Sequence, residues 1–423
     1  MIIGNDKSFP RPYEITDSEL ARHAFIIGKS GSGKSQLLLQ LLIQDAQAGV
    51  GFCVIDPHGD LARDLMKFLP PSRINDVILI DPTLDHVPIV NVFSADGNLS
   101  KDISAADDLF HSVWPDAWGA RSQWFFRSIA RSLAQAHPKF SIVGIIKMIM
   151  GNNTYARRVY QYVKDQDLKL FLDEYDRWTK QFREQVITPV QNKVSRFIES
   201  EALRAVTGRE ESTFSFRWAM DNHKIVLCSF PRGPIGKEDS TLLCSLIANK
   251  INNAALSRAD PRHRPDFRLY IDEAGMALQG IDVPSLMSES RKYGLQLIFA
   301  TQTLEGIASI SNEALASILG NSGTLLSFRL SAKDAKYLDE EFLGEFPPET
   351  YVGMPDRTLI VRTMVRGIPQ RPIHISTLER PRSRRTRQQQ DAWIAKLKDT
   401  SKRRFAVSKQ ETFEKVNRFL RED

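Results

Sequence analysis

Short apolar runs alternate with stretches of helical periodicity along most of this 423-residue chain. Runs of four to six largely apolar residues occupy positions 23–27, 51–55, 77–80, 224–229, 267–271, 295–299 and 323–328, and a further β-rich run covers 358–365. Apolar residues at helical spacing occur at about 34–48, 241–257, 283–292 and 313–319. Because uninterrupted apolar strands are buried on both faces, this alternation predicts an α/β fold with a doubly wound, mostly parallel sheet.

A different pattern occupies the middle of the chain. From Leu99 to about Ala205 the periodicity is helical throughout, with four tryptophans and few strand-like runs. We therefore predict an all-α subdomain inserted between two parts of the sheet-forming core. The predicted divisions are 1–97 for the first part of the core, 98–210 for the insertion, 211–380 for the second part of the core and 381–423 for a C-terminal tail.

The positive charge of the chain is concentrated in this tail. The formal net charge is +6, and residues 381–423 contain thirteen Lys and Arg against six Asp and Glu. The rest of the chain is therefore close to neutral. Residues 388–398 have the pattern of a short helix. Two structures remain open for the tail: a solvated, partly disordered segment, or a docking segment for DNA or a partner protein.

The composition also excludes several classes of protein. No stretch approaches the roughly 18 consecutive apolar residues of a membrane helix, and residues 1–12 lack the apolar core of a secretory signal. We therefore expect a cytoplasmic protein without an integral membrane segment. Cys53, Cys228 and Cys244 are scattered in apolar surroundings, which predicts buried thiols and neither disulfides nor a zinc site.

A glycine-rich segment joins the first apolar run to the first helical stretch. Its sequence, Gly28-Lys29-Ser30-Gly31-Ser32-Gly33-Lys34-Ser35, fits the phosphate-binding pattern G-x-x-x-x-G-K-[ST]. The residues assigned to binding ATP are Gly28, Ser30, Gly31, Ser32, Gly33, Lys34 and Ser35. The glycines let backbone amides point at phosphate oxygens, Lys34 neutralises the β- and γ-phosphates, and the Ser35 hydroxyl binds Mg²⁺. The alternative is a glycine-rich turn beside a solvated lysine.

Two carboxylates directly follow the apolar run 267–271. A P-loop ATPase needs an acidic site at a strand end that holds the metal and activates water. We assign Asp272 to Mg²⁺ binding and Glu273 to polarising the attacking water. Carboxylates also cap strand ends for purely structural reasons, so this assignment depends on the P-loop in the same chain.

With two later residues, these motifs resemble those of the HerA/FtsK superfamily of ring-forming, DNA-pumping ATPases. Arg291 lies eighteen residues after Glu273, and Gln302 lies twenty-nine residues after it, directly behind a predicted strand. The likeness is in particular to the conjugative coupling proteins of type IV secretion and their soluble relatives, which also carry an inserted helical subdomain. The segments that support it are 54–60, 272–275 and 320–328, within a likeness that covers about residues 25–365.

The resemblance implies roles that spacing alone does not assign. Arg291 matches the arginine finger that reaches into a neighbouring subunit's nucleotide site, and Gln302 matches a sensor of the γ-phosphate. Asp56, His58 and Asn321 match positions that lie near the nucleotide without contacting it. The structural alternatives are a surface arginine, an amide that satisfies a strand end, and a turn built by Asp-Pro.

The whole protein that the resemblance implies is a hexameric ring that hydrolyses ATP with Mg²⁺ and translocates DNA through backbone contacts. A secretion ATPase that moves protein or drives pilus assembly would use the same machinery. A P-loop switch that gates a partner protein is the alternative from another class. The partner proteins expected are secretion, relaxase or defence components. Arg121, Arg127 and Arg131 share one predicted helix face in the insertion, which is either solvated or in contact with DNA.

Overall fold

The strands of the chain assemble into one large sheet and two short strand pairs. A computed structural model describes residues 1–7, 11–93, 99–137, 139–150, 154–259 and 264–422. The strands are β1 (Ile2–Asp6), β2 (Pro12–Glu14), β3 (Ala24–Ile27), β4 (Gly51–Asp56), β5 (Val77–Ile80), β6 (His86–Pro88), β7 (Ile225–Ser229), β8 (Phe267–Asp272), β9 (Leu295–Thr301), β10 (Thr324–Ser327), β11 (Thr358–Arg362), β12 (Met364–Val365), β13 (Ile368–Pro369), β14 (Ile373–Thr377) and β15 (Ala406–Ser408).

Helices connect these strands and cover both faces of the sheet. In the first half of the chain they are α1 (Asp17–Leu20), α2 (Lys34–Ala48), α3 (Asp60–Met66), α4 (Leu99–Val113), α5 (Ala120–Ala136), α6 (Ile142–Ile149), α7 (Thr154–Tyr162), α8 (Gln166–Arg177), α9 (Lys180–Val194), α10 (Arg196–Glu199) and α11 (Glu201–Thr207). In the second half they are α12 (Phe216–Asp221), α13 (Arg232–Ile235), α14 (Lys237–Ser257), α15 (Ala274–Ala277), α16 (Val283–Glu289), α17 (Leu304–Ala308), α18 (Asn312–Asn321), α19 (Ala332–Leu338), α20 (Pro348–Val352), α21 (Arg387–Phe405) and α22 (Lys409–Arg421). Short 3₁₀ helices span Pro71–Asp76, Ser290–Tyr293 and Glu340–Phe342. In the described part of the chain, no helix combines the length and apolarity required to cross a membrane.

Parallel pairing dominates the large sheet. Its eleven strands follow the order β2-β1-β14-β11-β10-β3-β9-β8-β4-β7-β5. The strands from β10 to β5 pair in parallel, and the other four extend the sheet beyond β10 by antiparallel pairing. This confirms the predicted doubly wound, mostly parallel sheet, because the seven predicted apolar runs form its parallel part. The antiparallel strands β1, β2 and β14 are absent from the sequence prediction.

The parallel strands lie between two hydrophobic cores. Every residue of these seven strands is buried. In β3, Phe25 and Ile27 belong to one core, whereas Ala24 and Ile26 belong to the other. Because neighbouring residues of a strand point to opposite faces, a sheet covered on both faces needs apolar residues at nearly every position. This requirement explains the uninterrupted runs in the sequence.

The three cysteines are buried and free, as predicted. The Sγ atoms of Cys53 and Cys228 lie 3.9 Å apart, about twice the length of a disulfide bond. Burial raises the pKa of the Cys244 thiol, which keeps it neutral. In the described residues, no group of three or more His, Cys, Asp or Glu side chains could hold a metal.

The middle of the chain is helical in the described residues. Helices α4 to α11 lie between residues 99 and 207, and the described residues of that range contain no strand. The predicted boundary between residues 97 and 98 lies outside the described residues. A buried ion pair connects this region to the core, because the Nζ atom of Lys250 in α14 lies 3.0 Å from the Asp102 carboxylate in α4.

The arginines of α5 make different contacts from one another. Arg127 donates from Nε to the buried Asp107 carboxylate at 2.5 Å, and it also lies 3.5 Å from Asp108. Arg131 lies 3.8 Å from Asp165, and Arg121 is exposed. Arg127 is therefore neutralised within the fold, whereas Arg121 and Arg131 present charge to solvent.

The C-terminal tail is folded, so of the two structures that the sequence left open, the partly disordered one is wrong. Helix α21 extends well beyond the predicted 388–398, begins at a Thr386 capping box and buries Leu397, Ser401 and Phe405. The backbone N–H of Leu79 in the edge strand β5 donates to the Ser401 hydroxyl at 2.9 Å. The tail thus covers the free side of β5, the last strand of the large sheet. Without the tail, the unpaired backbone groups of this strand would face solvent.

We predict that Ser401→Ala destabilises the protein by about 1–3 kcal/mol, because the buried Leu79 N–H loses its acceptor. Urea unfolding measures the change. The control is Thr400→Ala, whose hydroxyl bonds only within its own helix, and its effect should stay within about 0.5 kcal/mol. Equal effects of the two substitutions would show that the tail does not protect this edge.

Candidate active site

The glycine-rich loop lies where β3 ends and α2 begins. Gly31 and Gly33 have φ angles of +77° and +120°, which residues with a Cβ rarely adopt. A Cβ on Gly28 would lie 2.5 Å from the Cβ of Phe328, whose side chain packs against the loop. These glycines are therefore required by the backbone path. The supporting role of Phe328 is not apparent from the sequence pattern, because it depends on the pairing of β10 with β3.

The loop presents unpaired backbone donors. The N–H groups of Gly31, Gly33, Lys34 and Ser35 have no acceptor in the described part of the chain, whereas that of Ser32 donates to the Lys29 carbonyl at 3.3 Å. Unpaired amides at the start of a fifteen-residue helix form an anion-binding site, which the helix dipole strengthens. The loop is therefore suited to binding phosphate groups.

Lys34 places a buried cation inside this loop. Its side chain is only 8% exposed, and its Nζ atom donates to the carbonyl oxygens of Gly28 at 2.5 Å and Lys29 at 3.1 Å. Burial lowers the pKa of Lys34, and the carboxylates of Asp272 and Glu273 oppose that shift. A bound phosphate would place a negative charge beside this buried ammonium group and would stabilise its charged form.

Asp272 ends β8 beside the loop, and the Ser35 hydroxyl donates to its carboxylate at 3.4 Å. Burial, with the nearby charge of Asp56, raises the pKa of Asp272 to about 6. A divalent cation would favour the charged form of this carboxylate. Carboxylate and hydroxyl oxygens are the ligands that Mg²⁺ uses beside phosphate, so the residues present fit that metal.

Glu273 is held by the end of the neighbouring strand. Its φ angle is +84°, its N–H donates to the Ala300 carbonyl at 3.1 Å, and its carboxylate accepts from the Thr301 hydroxyl at 3.3 Å. The Thr301 carbonyl in turn accepts from the N–H of Gly28 at 3.3 Å. Thr301 therefore links the acidic residue to the loop, a role that the sequence does not reveal because it depends on the pairing of β9 with β3 and β8. Gln302 follows Thr301 at the same edge and is exposed.

Asp56 and His58 also lie near the acidic pair, at the end of β4. The Asp56 carboxylate accepts from the N–H groups of His58, Gly59 and Ala62 at 2.8–2.9 Å, and it therefore shapes the turn before α3. Its charge raises the pKa of Asp272, whereas His58 lowers it. Asp56 therefore builds the turn and also lies near the site, so the two interpretations of this residue do not exclude each other.

Two other residues singled out in the sequence lie at the opposite end of the parallel strands, where β9 and β10 begin. Asn321 ends α18 before β10 and donates to the Ser317 carbonyl at 2.9 Å, so it serves its own helix. Arg291 lies in the 3₁₀ helix before β9, and its exposed side chain makes no hydrogen bond or ion pair with any described residue. The seven residues of β9 separate it from Gln302 by roughly 20 Å. An arginine side chain is too short to cross that distance, so Arg291 cannot reach the loop of its own chain.

His23 fixes the segment that carries Arg291. It is buried at the start of β3, where its Nδ1 atom accepts from the Leu297 N–H at 3.1 Å. The Nε2 atom therefore carries the proton and donates to the Met287 carbonyl at 3.1 Å. Burial and the Arg291 charge lower the pKa of His23 to about 4. A neutral imidazole thus connects β3, β9 and the segment before Arg291, a role that the sequence pattern does not reveal.

This environment predicts a pH-dependent effect of His23→Asn. The neutral ring contributes its full stability above about pH 6.5, and this stability is lost as pH falls towards 4, because only the unfolded chain binds the proton there. As pH falls from 7 to 4, the wild type should therefore lose up to about 3 kcal/mol of unfolding free energy that the variant does not lose. Urea unfolding at stepped pH measures the difference, which should be constant between pH 7 and 8. A difference that stays constant down to pH 4 would contradict this account.

Comparison with known proteins supports the fold. Residues 12–349 match the family described as the type IV secretion-system coupling protein DNA-binding domain. The plasmid coupling protein TrwB bound to the ATP analogue ADPNP has 17% identity and a TM-score of 0.65, with 91% of each chain covered. TrwB with ADP and Mg²⁺ has 17% identity and a TM-score of 0.64, also with 91% of each chain covered. VirB4 of Thermoanaerobacter pseudethanolicus has 15% identity and a TM-score of 0.58, with 90% of this chain and 96% of that chain covered. A search of curated proteins gives no match.

Proposed function

The chain belongs to the type IV secretion-system coupling protein DNA-binding domain family, and from this premise we propose that it is a ring-forming ATPase that translocates DNA. The observation that carries the proposal is that the catalytic groups lie at opposite ends of the parallel strands. We call these ends the carboxyl edge, where the strands end, and the amino edge, where they begin. Lys34, Asp272 and Glu273 meet at the carboxyl edge, whereas Arg291 is exposed at the amino edge. This arrangement leaves an active site that a second copy can complete.

The groups at the carboxyl edge suit ATP hydrolysis. The loop amides and Lys34 bind the phosphate chain, and Ser35 and Asp272 hold Mg²⁺. When bound there, Mg²⁺ would neutralise the negative charge that develops on the phosphate oxygens. Glu273, oriented by Thr301, accepts the proton of the attacking water. We assign Gln302, which follows Thr301 and is exposed, to sensing the γ-phosphate. The structures of TrwB with an ATP analogue and with ADP and Mg²⁺ support the choice of ligands.

Ring formation follows from the position of Arg291. A residue that serves the site of the next copy defines a head-to-tail interface, and such interfaces close into rings when the rotation permits. We propose a hexamer, the assembly that the sequence resemblance implies. An arginine supplied across an interface stabilises the charge of the transition state and raises the rate by about 10³–10⁵ in other phosphoryl-transfer enzymes.

DNA is the proposed load of the motor, and the family assignment supports this choice. Contacts to the phosphate backbone suit movement along DNA, because they do not depend on sequence. In the insertion, Arg121 and Arg131 present charge to solvent, and Lys402, Arg403 and Arg404 are exposed in the tail. We place the protein in the cytoplasm, where ATP and DNA are both present, with secretion, relaxase or defence components as its protein partners.

We predict that double- or single-stranded DNA at low salt stimulates steady-state ATP hydrolysis and that Lys34→Ala abolishes the activity. Stimulation should fall steeply as salt rises, because DNA binding releases condensed counterions. Phosphate release at stepped salt concentrations measures both effects. Active hydrolysis that DNA does not change would contradict the translocase and favour the protein-moving ATPase or the switch.

A mixing experiment tests whether the site is shared between copies. Arg291→Ala alone should lower kcat by about 10³-fold or more. Lys34→Ala and Arg291→Ala subunits, each inactive, should recover about a quarter of wild-type activity when mixed equally, because that fraction of head-to-tail interfaces pairs an intact loop with an intact finger.

The matched control for this mixture is Lys292→Ala, which removes a neighbouring exposed cation and should leave the activity of unmixed protein unchanged. No recovery in a mixture whose subunits demonstrably co-assemble would contradict a finger that acts between copies.

A further inference from the structure

Arg357 lies directly against the phosphate-binding loop, although neither sequence motif contains it. Its backbone N–H donates to the Ser32 carbonyl at 2.9 Å. Its Cα atom lies 3.5 Å from the position that a Cβ on Gly33 would occupy. The turn before β11 therefore forms one wall of the loop.

The backbone of Arg357 has a conformation that glycine would adopt without strain. Its φ angle is +62°, in the left-handed region that residues with a Cβ disfavour. The N–H of Thr377 donates to the Arg357 carbonyl at 2.8 Å, and the Thr377 hydroxyl donates to it at 3.1 Å. Together with the bond to Ser32, these contacts determine the conformation. Strain of this kind persists where the surroundings impose it and is concentrated at functional sites.

One other non-glycine residue with a positive φ angle lies beside this loop. The described non-glycine residues with positive φ are His23, His223, Glu273, Leu343, Arg357 and Arg366. One of them is the acidic residue that we assign to water activation, on the other side of the same loop. A glycine in place of Arg357 would relieve the strain, so the presence of arginine points to a use for its side chain.

The side chain of Arg357 is available to a ligand. It is exposed, and it makes no hydrogen bond or ion pair with any described residue. The nearby Arg329, in contrast, is neutralised by Asp356 at 2.9 Å. Lys29 on the loop is also exposed. The result is a positive surface beside the loop, held in position by the loop itself.

The sheet order determines which phosphates this surface can reach. The sequence of neighbours is β11-β10-β3-β9-β8, so Arg357 at the start of β11 and Asp272 at the end of β8 lie on opposite sides of the loop. The metal and the γ-phosphate belong on the Asp272 side, where Ser35 and Glu273 lie. The α- and β-phosphates of a nucleotide bound in this way would therefore extend towards Arg357.

We propose that the Arg357 guanidinium binds the α- and β-phosphates of the nucleotide. This inference rests on the proposed function and adds a nucleotide-binding residue to it. Two N–H groups of a guanidinium match two phosphate oxygens, and such charge-assisted bonds are stronger than neutral ones. Because ADP and ATP share these phosphates, Arg357 holds both nucleotides, including the product after hydrolysis.

The test measures the Kd of fluorescent ADP and of a fluorescent non-hydrolysable ATP analogue for Arg357→Gly. This variant removes the side chain and accepts the φ angle of +62°, so the nucleotide-free protein should keep its Tm. Both affinities should weaken by about tenfold or more. Arg357→Lys, which keeps the charge and loses the planar fork, should lie between the variant and wild type.

The matched control is Arg366→Gly, since Arg366 is also an exposed arginine with positive φ, in the turn between β12 and β13. Its nucleotide affinities should equal those of wild type. Unchanged affinities in Arg357→Gly, or a loss confined to the ATP analogue, would overturn this inference alone. A wild-type protein that binds neither nucleotide would overturn the proposed function, and this inference with it.

Discussion

Parallel pairing of seven strands is the constraint on which the rest of the structure depends. In a parallel sheet all carboxyl ends lie at one edge, so residues far apart in the chain meet there. The loop after β3, the acidic pair after β8 and the amide after β9 are brought together in this way. The same geometry places the segment between α16 and β9 at the other edge. Arg291, the proposed finger on that segment, is therefore separated from the loop of its own chain by the length of the strands.

Burial of charge makes the site ready to bind its ligands. Lys34 and Asp272 are both almost fully buried. Burial lowers the pKa of Lys34 and raises that of Asp272, and both shifts favour the neutral form of the side chain. A phosphate beside Lys34 and a divalent cation beside Asp272 would each favour the charged form of the buried side chain, so ligand binding would offset both desolvation penalties. His23 shows the reverse case at the amino edge, since burial keeps this side chain neutral and its two ring nitrogens connect three elements.

The sequence reveals the fold and part of the site for the same physical reason. Strands buried on both faces must be apolar, and a phosphate loop must contain glycine at positions of positive φ, so both leave local patterns. Thr301, His23 and Arg357 leave none, because their roles arise from contacts between distant segments. The sequence left the structure of the tail open because α21 buries only a few widely spaced residues, among them Leu397 and Phe405, within a highly charged helix.

The central claim is that one copy completes the active site of the next. Electron cryomicroscopy of the wild-type protein with a non-hydrolysable ATP analogue, Mg²⁺ and DNA tests it most directly. We expect a closed ring in which the Arg291 guanidinium of each subunit lies within hydrogen-bond distance of the γ-phosphate bound at Lys34 of its neighbour. A nucleotide-bound assembly in which Arg291 faces solvent, with every site completed by residues of one chain, would contradict it.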